Sequence, residues 1–174
     1  MCNPKFPHNI GAAIRACSCY DVEQVWITGQ RLAKKVWESK RIPREERMRG
    51  YQNVSLILEE KPFKFFPKDV VPVAIELTRG AENLLQFEHP EKAVYVFGPE
   101  DGSIPTGIQR MCHRRVFIPT KHCVNLSAAI YTILYDRTYK NYLKEEVMPL
   151  PMDQTLREQK GWPEKEFPLF ESYS

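Results

Sequence analysis

The sequence lacks the features that mark several common classes of protein. No apolar run is long enough to span a bilayer, and no charged leader followed by an apolar core opens the chain, so we expect neither a membrane span nor secretion. Neither GxGxxG nor GxxxxGK[ST] occurs, which argues against the ordinary dinucleotide fingerprint and against a P-loop. There is no internal repeat or low-complexity tract, and 174 residues suit one domain with or without a tail.

Cysteine is sparse and charge is nearly balanced. The five cysteines are an odd number without a CxxC pair, which predicts reduced thiols in a cytoplasmic protein and neither a disulfide frame nor a zinc site. His113 and His122 stand alone in the sequence, so no metal is expected. The net charge is only +3, and a surface for an acidic partner must therefore come from the placement of charges.

Two segments differ from the rest in composition. Residues 31–50 are rich in Lys and Arg, which is typical of a solvated face but also suits contact with a nucleic-acid backbone. Residues 146–174 contain four prolines and several charges. We interpret the chain as one domain over residues 1–145 and an extended tail over residues 146–174 that packs through Trp162, Phe167 and Phe170.

The remaining sequence alternates between strand and helix patterns. Apolar runs at residues 23–29, 70–77, 92–97 and 114–119 predict strands. Helical spacing predicts a long helix over residues 125–145, and small residues predict another after His8 or Asn9. The run VSLILEE fits a strand or a short helix, ENLLQF a short helix or turn, and SIPTGIQRMC a short helix. This alternation favours an α/β fold with a parallel sheet and helices on both faces.

The strand at residues 92–97 ends in VFGPEDG, which can be an ordinary turn or a ligand cradle. Gly98 and Gly102 would allow the backbone to approach a ligand closely. Glu100 and Asp101 would equally accept hydrogen bonds from the start of a helix. Ligands of parallel α/β sheets bind where strands end at their carboxyl side, so the position fits either interpretation.

Two further segments carry polar groups at helices. A helical wheel places Arg15 among small residues, so that a phosphate, a carboxylate or another subunit can approach it, although a surface arginine paired with Asp21 or Glu23 fits equally well. Asn125 is a suitable N-cap for the long helix. Cys123 needs no reactive role, because free cysteine is commonly buried.

Taken in order, NPKFPHNIGAAIRA, VFGPEDGSIP and VFIPTKHCVNLSAAIYTILYDR resemble the three motifs of the SpoU (TrmH-like) RNA 2′-O-methyltransferases of the SPOUT superfamily. The resemblance covers about residues 3–140. The first motif pairs an Asn with an Arg six residues later, as in Asn9 and Arg15. The second is a strand ending in Phe-Gly-Pro-Glu at Phe97–Glu100. The third is Ile-Pro, a loop, and an Asn before a helix, as in Ile118, Pro119 and Asn125.

This resemblance implies a parallel α/β fold with a C-terminal deep trefoil knot, S-adenosylmethionine as cofactor, tRNA or rRNA as partner, and a homodimer. It implies methyl transfer to a ribose 2′-hydroxyl, with an Arg of one subunit near the cofactor of the other. The catalytic residues it implies are Arg15, Asn9, Glu100 and Asn125. The residues it implies for cofactor binding are Leu77, Gly98, Glu100, Gly102, Ile118, Cys123 and Leu126.

The sequence departs from this family at two points. Many members have Ser at the position of Cys123. Members also usually begin with a strand just before the Asn-Pro pair, whereas here Met1 and Cys2 precede Asn3. Either that strand is missing or another segment replaces it. The alternative function is therefore a catalytically inactive SPOUT-fold factor that binds RNA or assists ribosome assembly.

Overall fold

The structure is a computed structural model that describes residues 1–31 and 53–145. Its helices are α1 (Pro7–Cys19), the short α2 (Thr106–Gln109) and α3 (Leu126–Glu145). Pro7 is the first residue of α1, where its missing N–H costs nothing and its fixed φ suits a helix. The helix thus begins just ahead of the predicted start, and Phe6 precedes it without a side-chain cap.

Within residues 1–31 and 53–145, six strands run parallel to their neighbours. They are β1 (Gln24–Ile27), β2 (Ser55–Leu58), β3 (Val71–Ile75), β4 (Glu82–Asn83), β5 (Ala93–Phe97) and β6 (Arg114–Phe117). β1 pairs with β2, and the other four form a sheet in the order β4-β6-β3-β5. The predicted parallel α/β class is confirmed.

Strand pairing shows the secondary structure of the segments that the sequence left open. VSLILEE contributes strand β2, because Ser55–Leu58 pair residue by residue with β1. ENLLQF contributes the two-residue strand β4 followed by the 3-10 turn Leu84–Gln86. A second 3-10 turn, Pro62–Lys64, precedes β3. None of the described helices is long and apolar enough to cross a membrane.

Three residues at the amino end connect the two sheets. Cys2 forms a parallel bridge with Thr28 after β1, and its N–H donates to the carbonyl of Phe97 at 2.8 Å. Asn3 N donates to Thr28 O at 2.7 Å, and Thr28 N donates to Met1 O at 3.1 Å. Residues 1–3 therefore lie between β1 and β5 as a very short strand.

The sheet has an apolar core on each face. On one face α1 and α3 pack together over residues such as Val73 and Phe97. On the other face Ala74 and Val96 pack with Ile104 and with partly buried residues of α2 and of the first 3-10 turn. Because successive strand residues point to opposite faces, α1 and α3 cover one face, and the four-residue α2 contributes to the other.

Two predictions lie outside the described residues. They are the basic segment after Arg31 and the tail with its aromatic anchors. The division at residue 145 therefore stays a prediction.

Candidate functional site

The motif loops begin at one edge of the sheet. β6, β3 and β5 are adjacent, and their carboxyl ends lead into Ile118, Glu76 and Gly98. Since the strands are parallel, the segments after them leave the sheet on the same side. The arrangement brings together the loops that the sequence places in the candidate site.

Asn9 connects all three motif segments. Its side chain is 5% exposed although it lies in the first turns of α1. Its amide nitrogen donates to Oε1 of Glu100, and its Oδ1 accepts a hydrogen bond from Ser127 Oγ at 2.9 Å. Glu100 belongs to the second motif and Ser127 to the third. Both polar ends of this buried amide are thus satisfied by residues distant in sequence.

Glu100 also receives backbone hydrogen bonds from the segment that leads into α1. Lys5 N donates to Oε2 at 2.7 Å, and Phe6 N donates to Oε1 at 3.4 Å. Partial burial alone raises the pKa of Glu100, but the hydrogen bonds from Asn9 and from these amides outweigh it, so the pKa is lowered. The carboxylate therefore stays ionised and holds the second-motif loop against the start of α1.

The neighbouring Asp101 makes a second, more exposed connection. Its carboxylate accepts a hydrogen bond from Arg31 at 2.6 Å and lies 3.5 Å from the Lys5 ammonium. The hydrogen bond from Arg31 is the main cause of the lowered pKa of Asp101. Both acids of the GPEDG loop therefore anchor the loop. This agrees with the simpler of the two interpretations considered for this loop.

Glu76 shapes the other side of the same loop. Its Oε2 accepts from Ile104 N at 2.8 Å and its Oε1 accepts from Leu77 N at 3.2 Å. A Cβ added to Gly98 would lie 3.0 Å from Ile104 N. Gly98 therefore lets the loop fold back closely on itself at the end of β5. The close approach of a ligand to this glycine stays a prediction.

Asn125 caps α3 as predicted. Its Oδ1 accepts from Ala128 N at 2.7 Å, and its carbonyl accepts from Ala129 N. Leu126, the first helical residue, is buried in the main core, whereas Cys123 is exposed. In the loop before α3, Asn125 therefore fixes the start of the helix, and Cys123 lies on the protein surface.

Arg15 lies on a different face of α1 from Asn9. Six residues at about 100° each place the two side chains about 120° apart around the helix. Arg15 is exposed, while the Asn9 side packs into the fold. The structure thus brings Asn9 and Glu100 together and presents Arg15 on the outer surface of the same helix.

Three predicted cofactor residues have less definite surroundings. A Cβ on Gly102 would meet only Pro99, at an ordinary 3.6 Å, so nothing within the chain requires glycine there. Leu77 is 73% exposed, which is unusual for so large an apolar side chain. Ile118 is half-buried at the end of β6.

Sequence reasoning missed three residues of this site. Ser127, Lys5 and Glu76 all contact the motif loops. Ser127 and Lys5 lie within quoted motifs, but a serine inside a helix and a lysine in a loop give no signal of their own. Within the described part of the chain, no group of three or more His, Cys, Asp or Glu could hold a metal ion.

Solved structures of RNA methyltransferases share this fold. The Aquifex aeolicus TrmH/SpoU tRNA-modifying enzyme is 18% identical, with a TM-score of 0.68 over 80% of its chain and 88% of this one. AviRb of Streptomyces viridochromogenes, solved with AdoMet, is 17% identical with a TM-score of 0.67 over 80% of this chain. An AdoMet-bound rRNA methyltransferase of Sinorhizobium meliloti is 17% identical with a TM-score of 0.60, also over 80% of this chain.

The match to these proteins is partial in length. The chain spans 56% of AviRb and 54% of the Sinorhizobium methyltransferase. No curated protein matches this sequence. The profile of the SpoU rRNA Methylase family, however, matches residues 1–135, which include the first two motifs and all but the last two residues of the third. The chain therefore belongs to the SpoU rRNA Methylase family.

Proposed function

We propose that this chain is an S-adenosylmethionine-dependent RNA methyltransferase that modifies a ribose 2′-hydroxyl of tRNA or rRNA. The observation that carries the proposal is the position of Asn9, whose buried side chain bonds to Glu100 and Ser127 and so joins the three family motifs. Family membership supports the reaction class, and the AdoMet-bound relatives support the cofactor.

The residues present fit an adenosine-containing cofactor. Backbone groups at Leu77, Gly98 and Ile118 lie at neighbouring strand ends, and the exposed Leu77 supplies an apolar surface beside them. We place S-adenosylmethionine here, with Glu100, Gly102, Cys123 and Leu126 in the surrounding loops. In this proposal the GPEDG and PTKHCVN loops form the deep trefoil knot of the family.

When bound, S-adenosylmethionine would supply an electrophilic methyl group, with the thioether as leaving group and the 2′-hydroxyl proton released to solvent. The task of the chain is then to position the RNA and to stabilise the charge that develops on the 2′-oxygen. Arg15 performs the second task, because guanidinium keeps its proton and donates strong hydrogen bonds to phosphate and alkoxide. Asn9 and Asn125 orient the loops, and Glu100 holds Asn9.

The two faces of α1 support a homodimer. Asn9 points into its own fold, whereas Arg15 faces outward about 120° away. Arg15 therefore serves the cofactor site of a partner subunit in this proposal. Reduced thiols and an RNA substrate fit a cytoplasmic enzyme.

No comparison supports the catalytically inactive alternative, and one experiment separates it from the proposal. Calorimetric titration of the full chain with S-adenosylmethionine should show saturable binding. No binding at millimolar cofactor would favour the inactive RNA-binding factor.

Methyl transfer is then measured with radiolabelled cofactor on separate tRNA and rRNA fractions from cells that lack this chain. Alkaline hydrolysis should leave a labelled dinucleotide, since a methylated 2′-oxygen cannot attack the neighbouring phosphate. Label in mononucleotides would instead show base methylation and overturn the 2′-hydroxyl assignment.

A further inference from the structure

The segment that leads from β2 to β3 carries exposed aromatic and basic side chains. Its sequence KPFKFFPK, residues 61–68, contains three lysines, three phenylalanines and no acid. Phe65 is 61% exposed, and the three lysines are exposed as well. We use the name Phe65 surface for these exposed side chains together with the ring that stacks on Phe65, namely Trp26, Lys61, Lys64, Phe65 and Lys68.

The Phe65 ring is held in place by aromatic neighbours. It lies nearly parallel to the Trp26 ring, with centroids 6.0 Å apart and 25° between the planes. Phe66 meets Trp26 edge-on at 5.3 Å and Phe63 edge-on at 5.5 Å. Phe63 in turn packs against the core on the α2 side of the sheet. The Phe65 ring therefore rests on fixed neighbours while most of its surface meets water.

The backbone of the segment is fixed as well. Phe65 N donates to Pro62 O at 2.9 Å, which closes the 3-10 turn, and Val70 N donates to Pro67 O at 3.1 Å. Each proline also fixes its own φ. Because the segment is already ordered, little conformational entropy is lost when a ligand stacks on the exposed ring.

The positive charge of the segment is not neutralised by the described residues. Within residues 1–31 and 53–145, the ion pairs involve other side chains. Asp69, which follows the segment, is paired with Lys92 at 2.6 Å, and Glu60, which precedes it, accepts from Gly29 N at 3.4 Å. The three lysines alone equal the net charge of the whole chain, +3, so charge is concentrated here.

The Phe65 surface lies on the side of the sheet opposite α1. Val25 and Ile27 pack with Ile10 and Ile14 of α1, so Trp26 between them points to the other side. The outer surface of α1, which the proposed homodimer uses, is therefore on the far side of the sheet. The Phe65 surface stays accessible in such a dimer.

We propose that the Phe65 surface docks an unpaired stretch of the RNA substrate beside the nucleotide that is methylated. Phe65 stacks on one base, and the three lysines neutralise neighbouring phosphates. Stacking needs a base that is free of its duplex neighbours, so the substrate presents its target in a loop, a bulge or a single-stranded end. This inference rests on the proposed function, because it assigns the surface to the RNA of that reaction.

The start of the segment connects to the candidate site. Glu60 is bonded to Gly29, and two residues later Arg31 binds Asp101 of the GPEDG loop at 2.6 Å. The lysine that follows Glu60 thus lies a short chain of contacts away from the loop that we assign to the cofactor. An RNA strand bound along the segment can continue from there to the reacting ribose.

The composition of the surface favours RNA over a protein partner. The centres of protein interfaces are depleted in lysine and bury several apolar side chains together. Here one exposed ring stands among three lysines. A single stacking platform with flanking cations is the arrangement that binds single-stranded nucleic acid.

The test measures RNA binding to the full chain without cofactor. The probes are a fluorescein-labelled single strand of about 12 nucleotides, a length in the usual range of single-strand sites, and the same strand annealed to its complement. Fluorescence anisotropy should show tighter binding of the single strand. Phe65→Ala should raise its Kd by at least about fivefold, and Phe65→Leu should do the same, because both remove the stacking ring. Phe65→Tyr should bind like the parent.

Leu85→Ala is the matched control for these variants. Leu85 is 70% exposed and also lies on a 3-10 turn, but it is remote in sequence from the segment. The lysines are tested through salt. Lys64→Ala should lower the slope of log Kd against log salt by about 0.7, the contribution of one phosphate contact on a single strand. Lys144→Ala, exposed near the end of α3, should leave the slope unchanged.

Three outcomes would overturn the inference. Equal Kd values for Phe65→Ala and Leu85→Ala would show that no base stacks on Phe65. Equal weakening of single strand and duplex would show that the contact does not read an unpaired base. Self-association of the chain that is lost in Phe65→Ala, with RNA affinity unchanged, would identify a second copy as the occupant.

The failure of this inference is distinguishable from failure of the proposed function. Binding is measured without S-adenosylmethionine, so a chain that binds RNA as expected and transfers no methyl group counts against the proposed function. Methyl transfer by Phe65→Ala with the KM of the parent for RNA counts against the docking surface and leaves the proposed function standing.

Discussion

Asn9 donates its side-chain amide to Glu100 across 91 residues of sequence. This bond joins the first helix to the loop after β5, and Ser127 adds the start of α3 through the other end of the same amide. Each group is partly or fully withdrawn from water, so each depends on the other for its hydrogen bonds. The side chain of Asn9 therefore links residues of all three motifs.

The Asn9–Glu100 pair should show strong coupling in a double-mutant cycle. Asn9→Ala should cost about 1–3 kcal/mol, since Glu100 and Ser127 each lose a partner. Asn9→Asp should cost more, because two carboxylates then face each other. Adding Glu100→Gln to Asn9→Asp should restore part of the loss, since an amide again meets a carboxylate. Urea unfolding measures each free energy, and additive effects would contradict the coupling.

Gly98 and Gly102 should differ sharply when each is replaced by alanine. Gly98→Ala places a Cβ 3.0 Å from Ile104 N, so the loop must shift, at a cost of about 1–3 kcal/mol. Gly102→Ala makes only an ordinary contact and serves as the matched control. Thermal unfolding should give a lower Tm for Gly98→Ala and a nearly unchanged Tm for Gly102→Ala. Equal impairment of both variants would contradict the close approach at Gly98.

Arg15→Ala should abolish methyl transfer while leaving cofactor binding nearly unchanged. We expect kcat to fall by at least about 100-fold, because a charge-stabilising donor is lost in the transition state. Arg15→Lys should retain part of the activity, since lysine keeps the charge but not the planar fork.

Cys19→Ala, also exposed at the end of α1, is the control for surface changes. Single-turnover transfer and calorimetry separate the two effects. Turnover like that of the parent in Arg15→Ala would remove Arg15 from the mechanism.

His89 should make the fold less stable as the pH falls below about 7. Its ring lies between Tyr95 OH at 2.6 Å and Asp136 at 2.8 Å. Burial lowers its pKa and outweighs the opposing effect of Asp136. The unfolded chain, with a pKa of about 6.5, therefore binds the proton first, so stability is full above that value and declines toward the lower folded pKa.

The measurement is urea unfolding of the parent and of His89→Gln at pH values from about 7.5 down to about 5. The parent should lose more free energy than His89→Gln across it. Equal losses would show that other groups carry the acid sensitivity.

Local sequence was sufficient for most elements of the fold. The runs that became β3 and β5 are apolar and rich in β-branched residues, and such strands are read from composition alone. The Asn125 cap was also predictable, since it depends on a backbone amide only three residues away. Family motifs then gave the order of the site segments.

Other features were not accessible to local reasoning. VSLILEE became a strand because β1 lies beside it, and propensity does not encode that neighbour. Ser127 entered the site because α3 packs on α1 and turns its hydroxyl toward Asn9. The position of residues 1–3 between β1 and β5 depends on two strands that are distant in sequence.

The sequence by itself determined the parallel α/β class, the family, and which residues line the strand ends. Apolar periodicity and motif spacing are local quantities, so they suffice for these conclusions. Only the tertiary structure decided which acid holds which amide and which face of α1 carries Arg15 outward. Those outcomes follow from through-space contacts of buried groups, whose partners are fixed by packing and not by nearby sequence.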